Sequence, residues 1–113
     1  MSKIVKTTNR DCRKYVRNCV PFDNSNKQLY ARWTASGLYV VYSYGEHWPL
    51  FVWDAANETW YSNEDKYSPT TSHHYTYAHP HEATEHAPCH WLRRFIQDHG
   101  DAYHAELRAK RAA

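Results

Sequence analysis

The stretch Leu38–Tyr61, LYVVYSYGEHWPLFVWDAANETWY, narrows what this chain can fold into. It is rich in β-branched and aromatic residues and is broken by two turn signals. Gly45-Glu46-His47-Trp48-Pro49 separates the runs Leu38–Tyr44 and Leu50–Asp54, with glycine supplying a positive φ and proline closing the turn. Asp54-Ala55-Ala56-Asn57-Glu58 separates the second run from Thr59–Ser62, a second hairpin signal. A first loop of two or four residues sets Tyr42 opposite Phe51 and Val40 opposite Trp53. A four-residue second loop sets Trp53 opposite Trp60. One sheet face is then Leu38, Val40, Tyr42, Phe51, Trp53 and Trp60; the other is Tyr39, Val41, Ser43, Leu50, Val52 and Tyr61. A one-residue slip exchanges these sets. Both faces are largely apolar, so the sheet needs cover on more than one side.

With 113 residues the chain has room for one core. Its mean hydropathy of −0.92 suggests disorder, but that scale penalises the 10 Tyr, 5 Trp and 9 His, and disordered segments carry few aromatics. There is no run of 18 apolar residues to span a membrane, and MSKIVKTTNR has no apolar segment of a secretory leader. The three cysteines, Cys12, Cys19 and Cys89, form no C-x-x-C pair, and reduced thiols in a cytoplasmic protein fit best. Charge is uneven: residues 1–34 carry eight Lys/Arg against two acids, residues 35–86 one against seven, and residues 87–113 five against three.

Around the central hairpins, Lys3–Lys6 reads as a short edge strand. Arg10–Cys19 reads as a helix opened by Thr8 and Asp11 and stopped by Pro21, with Cys12, Tyr15, Val16 and Cys19 on one stripe. Asp23–Lys27 is a polar loop, and a strand follows from Gln28 or Leu29 to Trp33 or Thr34. Tyr67–His73 is either a last strand bulged at Pro69 or the cap of a short helix over His73–Ala78. His79–Pro88 is irregular. In a helix after Pro88, Trp91, Leu92, Phe95 and Ile96 form an apolar stripe, and Gly100 ends or interrupts it before a second piece over Ala102–Arg111. The expected fold class is α+β: an antiparallel four- to five-stranded meander with an N-terminal and a C-terminal helix packed on it. Residues 1–80 form the core, and residues 81–113 are a loop and helical extension of the same domain.

The string G-L-Y-V-V-Y-S-Y-G-x-H-x-P-L-F-V at Gly37–Val52, followed by W-Y-x-N-x-D-K-Y-S-x-T-T-S-x-H at Trp60–His74, resembles a family of small uncharacterised proteins encoded by bacteriophages. The resemblance covers roughly Thr7 to Pro80. It implies a phage product acting in the bacterial cytoplasm, for example one that blocks a host defence such as CRISPR-Cas.

The residues themselves point to a non-enzymatic binding protein. Three glycines leave no P-loop or dinucleotide fingerprint, G-x-S-x-G is absent, and no cofactor is expected. Tyr and Trp dominate binding energy at protein interfaces, and this chain has more of them than a small core readily hides. Tyr44, His47 and Trp48 at the hairpin tip, with Tyr67, Thr71 and His73, are the candidate contacts for a host protein. Self-association through an edge strand or an aromatic patch is a further partner reading. The alternative is nucleic-acid binding by the basic stripe Arg10, Arg13, Lys14 and Arg17 with exposed aromatics stacking on bases, against which a net charge of +2 is small. A third reading, a metal-dependent enzyme built on His86, Cys89 and His90, suffers from Pro88, which leaves His86 outside the helix. His81-Glu82-Ala83-Thr84-Glu85-His86 is also one residue too long for the zinc motif H-E-x-x-H.

Overall fold

The fold was examined in a computed structural model, which describes residues 4–25, 27–66, 68–82 and 84–112. Its centre is the antiparallel ladder of β3 (Leu29–Trp33), β4 (Leu38–Ser43), β5 (Pro49–Asp54) and β6 (Thr59–Asn63). Around it the expected architecture needs correcting. The sheet has seven strands and is mixed, not a four- to five-stranded antiparallel meander. Short strands at 22–24 and 84–87 were not anticipated. β1 (Val5–Thr7) pairs parallel with β2 (Phe22–Asn24), and β7 (Thr84–Ala87) pairs parallel with β6. β2 occupies the start of the segment read as a polar loop, and β7 lies inside the one read as irregular. Of the anticipated strand Lys3–Lys6, Lys3 lies outside the described residues, and β1 continues to Thr7.

Each parallel pair is joined by a helix. α1 (Cys12–Arg17) links β1 to β2, and α2 (Pro69–Ala78) links β6 to β7. The ladder directions place β1, β2, β6 and β7 all parallel to one another, and the chain steps across the sheet in one sense, in the order β1 to β7. Crossovers of the same hand then lay both helices on the same face. Both do lie there: Cys12 and Val16 of α1 and Ala78 of α2 share one core cluster with Tyr39, Val41, Leu50, Phe51 and Trp60. The other face, with Leu38, Val40, Tyr42 and Val52, is covered by Leu92, Phe95 and Ile96 of α3 (Cys89–Ala112).

This division differs from the expected one, and a bulge is the reason. The first hairpin closes with four residues, Tyr44–His47, between Ser43 and Trp48 (Ser43 N to Trp48 O, 3.1 Å), and Tyr42 pairs with Pro49. One residue further the register shifts, so that Val41 meets Phe51 and Val40 meets Val52. Leu50 is the extra residue of a β-bulge and lies in the same cluster as Phe51. The bulge exchanges the β4 face set relative to β5 and β6. The second hairpin keeps the expected pairing of Trp53 with Trp60 across the four-residue loop Ala55–Glu58. Asp54, almost fully buried, fixes that loop by accepting from the amides of Ala56 and Asn57 and from Asn57 Nδ2.

The helices follow local chemistry. α1 buries Cys12 and Val16, with Tyr15 and Cys19 packed beside them, as the stripe indicated. It is shorter than Arg10–Cys19, because Thr8 Oγ1 accepts from the Asp11 amide in a turn that precedes the helix. Of the two readings of Tyr67–His73, the helix prevails: Ser68 caps it by accepting from the Thr71 amide, and Pro69 takes the first position. α3 is one helix of 24 residues and runs through Gly100 without a break. Mid-helix glycine costs about 1 kcal/mol, which the alanines and leucine around it offset. Among the described residues no helix is long and apolar enough to cross a membrane.

Candidate functional site

β2, β4, β6 and β7 all end at one end of the sheet, where the hairpin tip 44–48, the segment 64–66 and the first turns of α2 and α3 converge. Here side chains tie the loops together. Asn63, buried, donates to Pro49 O (2.8 Å) and accepts from the Asp65 amide (2.8 Å). Asp65 Oδ2 in turn accepts from the Cys89 amide at 2.7 Å, a carboxylate at the N-terminus of α3. The Glu64 amide donates to Ala87 O, and Cys89 Sγ lies 3.5 Å from His47 O. Between this segment and the first turns of α2 is a cleft of about 430 Å³, with Leu50 and Tyr75 as its apolar part and Asn63, Asp65, Ser72 and His86 among its polar lining.

The hairpin tip is held just as firmly. The Tyr44 amide donates to Gln28 O at 2.7 Å, and Tyr44 has a φ of +65°, a left-handed conformation that a bulky side chain rarely adopts. The residue is 42% exposed, and its ring lies 5.5 Å from the ring of His74. His74 is buried and shares a 2.7 Å hydrogen bond between its Nδ1 and Ser43 Oγ. Burial, with a smaller contribution from His73, lowers its pKa.

The anticipated contact residues fare differently. Tyr44 and His47 are exposed at the tip, and His73 is exposed on α2 with its ring stacked 6.5 Å from that of Tyr77. Trp48 is half-buried and packs against the core cluster, so the reading of it as an exposed contact is corrected. Thr71 is buried as well, with its hydroxyl on Ser68 Oγ in the helix cap. Tyr67 lies outside the described residues. Sequence reasoning missed Tyr77, 41% exposed; its spacing of four from His73 becomes a signal once α2 is helical. It also missed Asn63 and His86 as cleft-lining groups, for which the sequence holds no marker.

The basic stripe does not stay free. Arg13 donates from Nε to His79 O (2.8 Å) and from Nη2 to Thr76 O (2.7 Å), carbonyls at the C-terminal end of α2 where a cation is favoured. Arg10, Lys14 and Arg17 are exposed. His86, Cys89 and His90 do not converge. His86 Nδ1 meets Ser62 Oγ at 2.9 Å, Cys89 is buried, and His90 points to solvent in the first turn of α3. Among the described residues no three His, Cys, Asp or Glu side chains are grouped to hold a metal ion.

Compared with protein-family models, with curated proteins and with solved structures, the chain has no match. The chemistry of the site therefore has to be judged from its own groups. Burial pushes the Cys12 and Cys19 thiols up to about 11 and raises that of Cys89, the direction opposite to an activated nucleophile. Ser43 and Ser62 each meet a histidine Nδ1, but both serines are fully buried and hydrogen-bonded inside the sheet. What the arrangement offers is a tied-down cleft and, apart from its lining, exposed rings at the hairpin tip and on α2.

Proposed function

We propose that this chain is a small non-enzymatic binding protein that acts by protein contact on a bacterial host system, such as a defence complex. The phage-protein resemblance of Gly37–His74 supplies the context for that reading. The observation that carries it is Tyr44. An exposed phenol is kept in a left-handed backbone conformation, anchored through its amide and backed by a buried histidine ring. Such strain persists only where the surroundings over-determine it, and it clusters at functional sites. A pre-ordered aromatic ring also loses little entropy on binding, which is why tyrosine is enriched among interface anchors. His47 beside it, and His73 with Tyr77 on α2, extend the contact surface.

The test is affinity capture from bacterial lysate with the tagged chain, followed by isolation of a complex of fixed stoichiometry. Tyr44→Ala should weaken that complex roughly 30-fold, as loss of an interface anchor does. Trp33→Ala, at the opposite end of β3, should leave it intact. Absence of any stable complex at low salt, or a complex indifferent to Tyr44→Ala, refutes the reading.

A further inference from the structure

The second half of α3 has no sheet beneath it. The last α3 side chain packed on the core is Ile96, and from Asp101 to Arg111 only Tyr103 and Leu107 are even half-buried. A helix of 24 residues is about 36 Å long, and it helps stretch the molecule to 49 Å against 30 and 23 Å in the other directions. Helices gain most of their stability from packing an apolar face, and a dozen residues alone are marginal in water. The projecting half therefore presents an unpartnered face.

That face has a defined pattern. Ala102, Ala105 and Ala109 of the projecting half continue, through Asp98, the line of Trp91 and Phe95, whose rings also pack on Tyr61, with alternating spacings of four and three, the seam of a two-helix coil. Its inner end is an apolar groove of about 340 Å³ between Trp91, Phe95 and Ala102. Trp91 is 41% exposed and stacks on Phe95 at 5.2 Å. The one charged member, Asp98, is drawn aside by Arg94 at 3.1 Å.

From these observations we infer that the protein forms a homodimer in which two copies of α3 pair antiparallel along this seam. The charges beside the seam select both the occupant and the orientation. With Ala102 opposite the second copy's Ala105, and Asp98 opposite its Ala109, the flanking residues match twice over: Asp101 meets Arg108, and His99 meets Glu106. Parallel pairing along the same seam sets Asp101 against Glu106 twice. Antiparallel pairing through the other half-apolar face, about Tyr103 and Leu107, sets Glu106 against Glu106 and His104 against His104. The attractive arrangement places the end of the second copy's helix beside the Trp91–Phe95 groove.

Sedimentation equilibrium of the full chain should show a reversible dimer. Asp101→Arg and Arg108→Asp should each raise its dissociation constant about tenfold, because each turns two attractive contacts repulsive. The double variant D101R/R108D should return it to within about threefold of wild type. These positions are seven apart on one helix and do not meet within a chain, so helix content by circular dichroism should stay constant throughout. Ala105→Glu, at the centre of the seam, should give a monomer, and Leu107→Lys should leave the dimer intact. A chain monomeric at about 200 µM, a dimer blind to the charge reversals, or one dissolved by Leu107→Lys alone overturns the inference.

Discussion

Replacing Tyr39 by phenylalanine tests the internal account of the helix-covered core. Tyr39 is fully buried, with its ring 5.5 Å from Trp33 and edge-on to Trp60 at 6.3 Å. Its hydroxyl donates to the carbonyl of Val20, just after α1, at 2.7 Å. That bond fastens the exit of the first crossover to the middle of the sheet. Phenylalanine keeps the rings in place and removes one hydrogen bond. The stranded acceptor lies in a half-exposed segment where water recovers part of the loss. A cost of about 1–1.5 kcal/mol follows, a drop in Tm of roughly 4–7 °C for a domain of this size. Tyr39→Ala, which also empties the ring site, should cost about 3–5 kcal/mol. Urea unfolding monitored by tryptophan fluorescence gives both values. A neutral Tyr39→Phe refutes the role given to the hydroxyl, and a neutral Tyr39→Ala refutes the placement of this residue in the core.

Three other outcomes are expected. His74 and His79 both have lowered pKa values through burial, so their contribution to stability is complete above the ordinary histidine value of 6.5 and is lost as pH falls through the folded values. The urea midpoint should drop between pH 7.5 and pH 5, and His74→Asn should flatten that drop; a midpoint that rises on acidification contradicts the assignment. With Cys12 and Cys19 pushed up to about 11, only about 0.1% of each is thiolate at pH 8, and both should react slowly with a disulfide reagent until the chain is unfolded; a fast-reacting equivalent assigned to Cys12 by mass spectrometry contradicts its burial. Arg13→Ala, which releases two carbonyls at the end of α2, should cost about 1–2 kcal/mol, whereas Arg17→Ala should stay within about 0.5 kcal/mol; equal effects in thermal melts dismiss the bracing role of Arg13.

The sequence and the structure part company where local pattern stops carrying information. The stripe of α1, the strand Leu29–Trp33 and the pairing of Trp53 with Trp60 were legible because period, turn length and residue type agreed. Strands of three or four residues, such as Phe22–Asn24 and Thr84–Ala87, have no period to read. Their parallel partners are fixed by crossovers and not by neighbours in the chain. The bulge at Leu50 has no signature in composition, yet it moves Tyr39 and Val41 to the opposite side of the sheet from the one expected. Gly100 looked like a helix end on propensity alone, and the flanking residues outweigh it. At the site, tip exposure of Tyr44 and His47 followed from the turn. The burial of Trp48 and Thr71 followed from packing between elements far apart in sequence, which spacing does not encode.

The order of strands across the sheet, β1 to β7, is also their order along the chain. During translation each newly emerged strand therefore docks on a template already laid down, and no earlier pairing has to open to admit a later one. Coverage is less even in time. α1 can shelter its side of the sheet early, but the side bearing Leu38, Val40 and Val52 stays bare until Leu92 leaves the ribosome, so the nascent chain is most vulnerable to aggregation in that interval.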